Sequence, residues 1–271
     1  MKYEVLLAFT LLATSLVADV KDKFKINVGA MYVTNFETEM QIGPSGKALN
    51  ATLNTQDQLG MSYDTNVFRL EGYYRFNDAH RMDFSYFTVK SSGNRIINQE
   101  IPEWGENNDT IAAGAEVGSY FNMDIYKLNY AYSFFHNEKV ELALSAGLHI
   151  TNFDLGLSAS GTINGTPSQA LVTSTKLLAP LPVVGFRGEY TIIDKTLFAQ
   201  YSADYFYLRF DGFEGSLVST TLNVEYRFLD NYGVGLGYNS NNINIAADNG
   251  NLRVKASNSL RGAMAYVTYV Y

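Results

Sequence analysis

Apolar and polar residues alternate one by one along most of this chain. In VFRLEGYYRFNDAHRMDFSYF, Val67 to Phe87, the residues Phe68, Leu70, Tyr74 and Phe76 share one parity and Arg69, Glu71 and Arg75 the other. After the polar break at Asn77–Asp78, Met82, Phe84 and Tyr86 interleave with Arg81, Asp83 and Ser85. Successive side chains of a strand point to opposite faces, so this pattern predicts an antiparallel hairpin. It recurs in Phe24–Tyr32, Tyr126–Phe134, Val140–Thr151, Val184–Ile192, Leu197–Tyr205, Leu222–Phe228 and Val234–Tyr238. No shift of composition marks a second domain.

The connections fall into two sets. Short polar turns are predicted at Asn77–His80, His136–Lys139, Asp194–Lys195 and Asp230–Asn231. The other set contains three long stretches rich in Gly, Asn, Ser and Thr, at Glu37–Asp64, Ser91–Gly114 and Ser158–Ala179, and two brief ones at Asp211–Gly215 and Ala247–Asn251. The two sets alternate along the chain, which places the short turns at one end of the sheet and the longer connections at the other. About ten strands result, with both termini on the short-turn side.

Such alternation suits either a soluble sheet with its charges in water or a membrane barrel with its aromatic face in lipid. The sorting of connections by side favours the barrel, and so does the polar face. That face carries Lys25, Arg69, Arg75, Arg81, Lys127, Arg187 and Arg227 against Glu71, Asp83, Glu141, Glu189, Asp204 and Glu225. Among them stand Gly29, Ala143, Gly147 and Gly185, the small residues that a narrow lumen needs between bulky charges. The expectation is an all-β fold, a closed antiparallel transmembrane up-and-down β-barrel of about ten strands. These charges and His149 would form a lumen network, since unpaired charges in so confined a space cost several kcal/mol each.

The chain ends AMAYVTYVY, with Ala265, Val267, Tyr269 and Tyr271 on one parity. Together with FRLEGYYRF and APLPVVGFRGEY, this resembles the pattern of bacterial outer-membrane β-barrels, whose C-terminal signature the assembly machinery of that membrane recognises. Such proteins most often end on Phe, where this chain has Tyr271. The resemblance implies that Val267, Tyr269 and Tyr271 act as the assembly signal. It also implies that the protein resides in the outer membrane, with its lipids and lipopolysaccharide as surroundings and the barrel-assembly machinery as a partner. A closed barrel has no free edge, so a monomer is expected.

The N-terminus agrees with export. Lys2, the apolar run Val5–Leu12 and the small end at Val17-Ala18 read as a signal peptide over residues 1–18, leaving 19–271 as the barrel domain. No later apolar run reaches the length of a membrane helix. The 271 residues include no cysteine, which excludes thiolate metal sites and cysteine nucleophiles. Twenty Tyr and 17 Phe suit a surface where rings meet both lipid and water. A net charge of -7 argues against nucleic acid.

No phosphate-binding loop and no G-x-S-x-G occurs, and no metal or cofactor is expected. The glycines of GVGLG, Gly233–Gly237, share one strand parity and predict a narrow place in the lumen. His149 is expected inside the lumen near the outer end of its strand, with Thr151 on its face and Asp154 nearby. The expected function is a non-catalytic envelope barrel with interaction loops and a largely plugged lumen, because about ten strands lies close to the size that side chains fill. One alternative is a narrow channel for small or apolar solutes, gated by the apolar loop 158–179 (PSQALVTSTKLLAPLP within it). Another is a rim enzyme that hydrolyses lipids or peptides with His149.

Overall fold

A computed structural model describes residues 22–44, 53–63, 66–104, 109–163, 165–248 and 252–271. Ten long strands are present: β1 (Phe24–Pro44), β2 (Asn66–Asn77), β3 (His80–Ile96), β4 (Glu116–His136), β5 (Val140–Ile163), β6 (Thr166–Ile193), β7 (Leu197–Phe210), β8 (Phe213–Leu229), β9 (Tyr232–Asp248) and β10 (Leu252–Val270). Each pairs antiparallel with the next. The last returns to the first in a register running from Lys25↔Val270 to Pro44↔Leu252. The sheet therefore closes into a barrel, and every long strand has two neighbours. The signal-peptide segment, residues 1–18, lies outside the described residues.

The short turns fall where the alternation breaks. Asp78–Ala79 joins β2 to β3, and Asn137 stabilises the β4–β5 turn by accepting from the backbone N–H groups of Lys139 and Val140, both at 2.8 Å. The opposite end departs from the sequence reading. β5 and β6 are 24 and 28 residues long, well beyond the roughly 9–11 that a tilted strand needs to cross a bilayer. The expected loop Ser158–Ala179 is a continuation of this hairpin, which turns at Gly165 with φ +77°. The ladder satisfies main-chain groups that an irregular loop would leave to water. Pro180 and Pro182 fit because the β6–β7 ladder ends at Val184, so β6 is paired there on the β5 side alone and a missing N–H is tolerated. β1 and β3 likewise extend through part of the other two stretches read as loops.

Polarity explains how the barrel sits. Toward the short turns the outward face is apolar, with Phe68, Tyr74, Phe76, Leu128, Tyr132, Phe134, Leu144, Tyr190, Leu222 and Phe228 exposed. Farther along each strand the faces exchange character. On β4, Phe121, Met123 and Ile125 point inward while Asn122 and Asp124 point outward. On β5, Phe153 and Leu155 are buried while Asn152 and Asp154 face out. Ile243 against Asn242 on β9, and Leu260 against Arg261 on β10, repeat the exchange. An apolar outer face requires hydrocarbon around it, and a polar one requires water. The exchange marks the outer boundary of the membrane, above which the strands continue as a water-surrounded barrel with its own hydrophobic core.

That upper core includes Phe36, Phe121 and Phe153, with ring centroids 5.9 and 5.8 Å apart in sequence. The outer connections close over it. Leu59 and Met61, from the chain between β1 and β2, and Ile97, Ile101 and Ile111, from the chain between β3 and β4, are all buried in the same cluster.

Candidate functional site

Below the apolar core, the membrane-embedded half of the lumen holds the charges. Inward parity on each strand delivers them at one level. One connected chain begins with Arg75 of β2, which grips Glu141 of β5 through two bonds of 3.0 and 2.7 Å. Glu141 also lies 3.6 Å from Arg81 of β3, and Ser133 donates to it from β4. Arg81 reaches Asp83 at 3.0 Å; Asp83 reaches Arg187 of β6 at 3.1 Å. Arg187 binds Asp204 of β7 at 2.7 Å, and Asp204 lies 3.5 Å from Lys127 of β4. Six strands are thereby joined across the lumen.

A second cluster sits beside the first. Glu225 of β8 contacts Lys25 of β1 at 2.5 Å and Arg227 at 3.0 Å, and accepts from the Tyr266 hydroxyl of β10 at 3.4 Å. Arg227 also holds Asp22 at 2.6 Å and lies over the ring of Phe198, 4.1 Å from its centre. Arg69 and Glu71 pair at 3.0 Å, and Glu71 accepts from the amides of Asn27 and Asn223, both at 3.3 Å. Charge-assisted bonds of this density offset part of the large desolvation cost of burying ions.

The structure thus gathers every predicted network residue into the lumen and pairs all of them except Glu189 and His149. Glu189 is buried without an ion pair among the described residues. His149 is fully buried in the middle of the barrel, since β5 extends far beyond it, and neither ring nitrogen has a hydrogen-bond partner among the described residues. Asp154 lies on the opposite face of β5, accepting from Tyr120 at 3.3 Å and lying 3.6 Å from Lys176. The expected rim position of His149, and its grouping with Asp154, are corrected by this geometry.

Sequence reasoning missed Asp22, Tyr73 and Tyr266. Asp22 precedes the first alternating run, so parity gives it no face; its pairing with Arg227 makes the charged layer neutral. Tyr73 and Tyr266 share parity with the charges, a signal masked by the general abundance of tyrosine. The whole upper core was also missed, although the exchange of faces along β4 and β5 is written in the sequence.

Small residues make the layer fit. A Cβ on Gly235 would stand 2.1 Å from the Tyr266 ring, and one on Gly185 would stand 2.6 Å from both Asp204 and Ser145. A cavity of about 120 Å³ lies among these side chains, lined in part by Lys25, Arg69, Asp83, Glu189 and Gln200.

A closed antiparallel barrel with an apolar outer belt and a charged interior is a transmembrane β-barrel of the kind found in bacterial outer membranes. Among solved structures it is similar to the outer membrane protease OmpT from Escherichia coli, with a TM-score of 0.58 and 12% identity over 96% of this chain and 99% of that one. The translocator domain of the autotransporter NalP from Neisseria meningitidis (TM-score 0.45, 10% identity, 91% and 88% covered) and Ail from Yersinia pestis (0.31, 11%, 91% and 99%) are more distant in shape. At such identities the likeness to OmpT concerns the fold alone. No protein-family model matches the chain, and no curated protein matches it in sequence.

Proposed function

We propose that the protein is a non-conducting, non-catalytic outer-membrane barrel that presents its protruding hairpins as an interaction surface. One observation carries the reading: the interior is filled in two layers, ions below and hydrocarbon above. A solute entering from outside would have to displace the buried cluster around Phe121, and one entering from the periplasm would have to part the ion pairs. The polar outer faces of β4, β5 and β6, raised above the membrane, supply the accessible surface on which function then rests. Assembly through Val267, Tyr269 and Tyr271, residence as a monomer, and removal of residues 1–18 belong to the same proposal.

Planar-bilayer recording of refolded protein tests it. The expected record is flat at applied voltages that drive current through open barrels, and steady single-channel steps would overturn it in favour of a narrow channel. The rim-enzyme alternative has no support in the position of His149, which is enclosed between the two layers.

A further inference from the structure

The wall of the barrel is uneven between β6 and β7. Their ladder runs from Ile193↔Leu197 to Val184↔Tyr205 and goes no farther among the described residues. That length is about the 9–11 residues that carry a tilted strand across a bilayer, so the two strands part at the outer headgroup plane. β7 turns back at Phe210, whereas β6 continues outward to Thr166, paired with β5 alone. β5 in turn is covered on its other side by β4 as far as Ser160. A notch is left in the wall, and one side of it is the long edge of β6.

The direction of the main-chain groups along that edge follows from the register. Thr191 donates to the Lys139 carbonyl at 2.8 Å, and no shift interrupts the β5–β6 register between Tyr190 and Leu171. In an antiparallel strand the N–H and C=O of one residue point to the same neighbour, and successive residues alternate. Odd-numbered residues of this stretch therefore bond to β5, and even-numbered ones turn toward β7. Ser174, Lys176 and Leu178 present both groups to the notch, while Pro180 and Pro182 present carbonyls without N–H groups. Prolines on an edge block strand pairing. Here they block the end nearest the membrane and leave the stretch beyond Pro180 open to it.

Side chains at the notch give a second, independent sign. Leu208 and Phe210 continue the inward parity of Phe206, whose partner across the β7–β8 ladder is Leu217. Phe206 and Leu217 are 7% and 0% exposed, as the inner face of a closed wall should be. Leu208 and Phe210 are 43% and 72% exposed, because the ladder beside them has ended. Phe213, in register with Phe210, still packs on the upper core. The notch therefore exposes apolar groups that belong to the interior.

We propose that the notch binds an extended peptide segment of another protein, which adds as a strand along β6 beyond Pro180 and lays inward side chains against Phe210 and Leu208. Main-chain bonds to Ser174, Lys176 and Leu178 supply the affinity, and the apolar pair selects a peptide with an apolar residue at every second position. A second copy of this chain does not fit. Two upright barrels related by a two-fold axis along the membrane normal present β6 edges that both run inward, and strands tilted near 40° then cross without pairing. Residues 45–52 of the chain itself continue from β1, which stands five places round the barrel from β6. The inference rests on the proposed reading of a closed barrel with an outer interaction surface, and names the class of partner.

The test uses the whole folded chain in detergent micelles and a labelled peptide of alternating threonine and valine, read by fluorescence anisotropy. A length of about ten residues matches the edge from Ser174 to Val183. Residues paired to the edge face outward, as Ser174, Lys176 and Leu178 do, so the threonines bond to β6 and the valines face inward. The expected result is one peptide per chain, bound at least tenfold more weakly when the threonine amides are N-methylated and unchanged when the valine amides are. Leu178→Pro removes one edge N–H without touching the β5 ladder, and Phe210→Ser removes the apolar contact; each should weaken binding several-fold while the unboiled chain keeps its compact band. No binding of the peptide would overturn the site, and so would equal binding after threonine methylation, the mark of an apolar ligand held by side chains alone. Full affinity in Leu178→Pro, or dimers of the chain in place of peptide capture, would overturn it as well. A flat bilayer record without peptide binding refutes the docking site alone, whereas single-channel steps refute the closed-barrel reading beneath it.

Discussion

Glu225 provides the sharpest measure of what the lumen ions contribute. Its carboxylate is fully buried and serves Lys25 at 2.5 Å, Arg227 at 3.0 Å and the Tyr266 hydroxyl at 3.4 Å. The change Glu225→Gln leaves Arg227 with Asp22 at 2.6 Å but strips Lys25, itself 2% exposed, of its ion-pair partner. Breaking one side of a buried pair costs about 3–5 kcal/mol, because the orphaned charge cannot recover its hydration. The double change Lys25→Met with Glu225→Leu removes both charges and keeps the volume, and should recover most of that loss. Urea titration in micelles, followed by the β signal in circular dichroism and by mobility of unboiled samples, reads both. A loss below about 1 kcal/mol for the single change, or a double variant no better than the single, would refute the premise that these ions are held out of water.

Other substitutions separate the two layers. Phe121→Ala, which loses contact with both Phe36 and Phe153, should cost about 3–5 kcal/mol in the same titration, and Phe134→Ala on the lipid face far less. Gly235→Ala forces a Cβ into the Tyr266 ring and should cost about 1–3 kcal/mol, with Tyr266→Ala in the same chain relieving part of it. His149→Ala should leave lipid- and peptide-hydrolysis assays unchanged from the parent chain. Any loss of hydrolysis specific to that variant would return His149 to a chemical role.

Much of this architecture could be read directly from parity. Strict alternation located the strands from Val67 to Phe76 and from Tyr126 to Phe134, and the breaks at Asn77 and His136 located the turns that follow them. The lumen charges were legible for the same reason, since an ion on one face of a lipid-embedded strand has only the interior to occupy. The outer ends of the strands were not, because alternation there carries a different meaning. From Val117 to Ile125, the apolar parity is the inward one, and Gly118, Asn122 and Asp124 occupy the outward positions. Read with a single rule for the whole chain, such a segment falls outside the strand that was read from Tyr126 onward. The run through Leu177–Ala179 was read as the end of an apolar loop, yet it continues through Pro180 and Pro182 as a strand paired with β5. The partners of each ion could not be known before the curvature of the barrel set Arg75 opposite Glu141 and Arg187 beside Asp83.

The second cluster has a bearing on assembly. Lys25 belongs to the first strand, Tyr266 to the last, and both converge on Glu225 of β8, three places from the first and two from the last. Until the first and last strands meet, Glu225 cannot be flanked by both partners, and water must still reach all three groups. An incompletely joined seam is therefore penalised twice, by open ladder bonds and by hydrated charges that have no partner yet. The contacts of Glu225 therefore reach their full set only in the closed barrel, and they reward complete registration of β1 on β10.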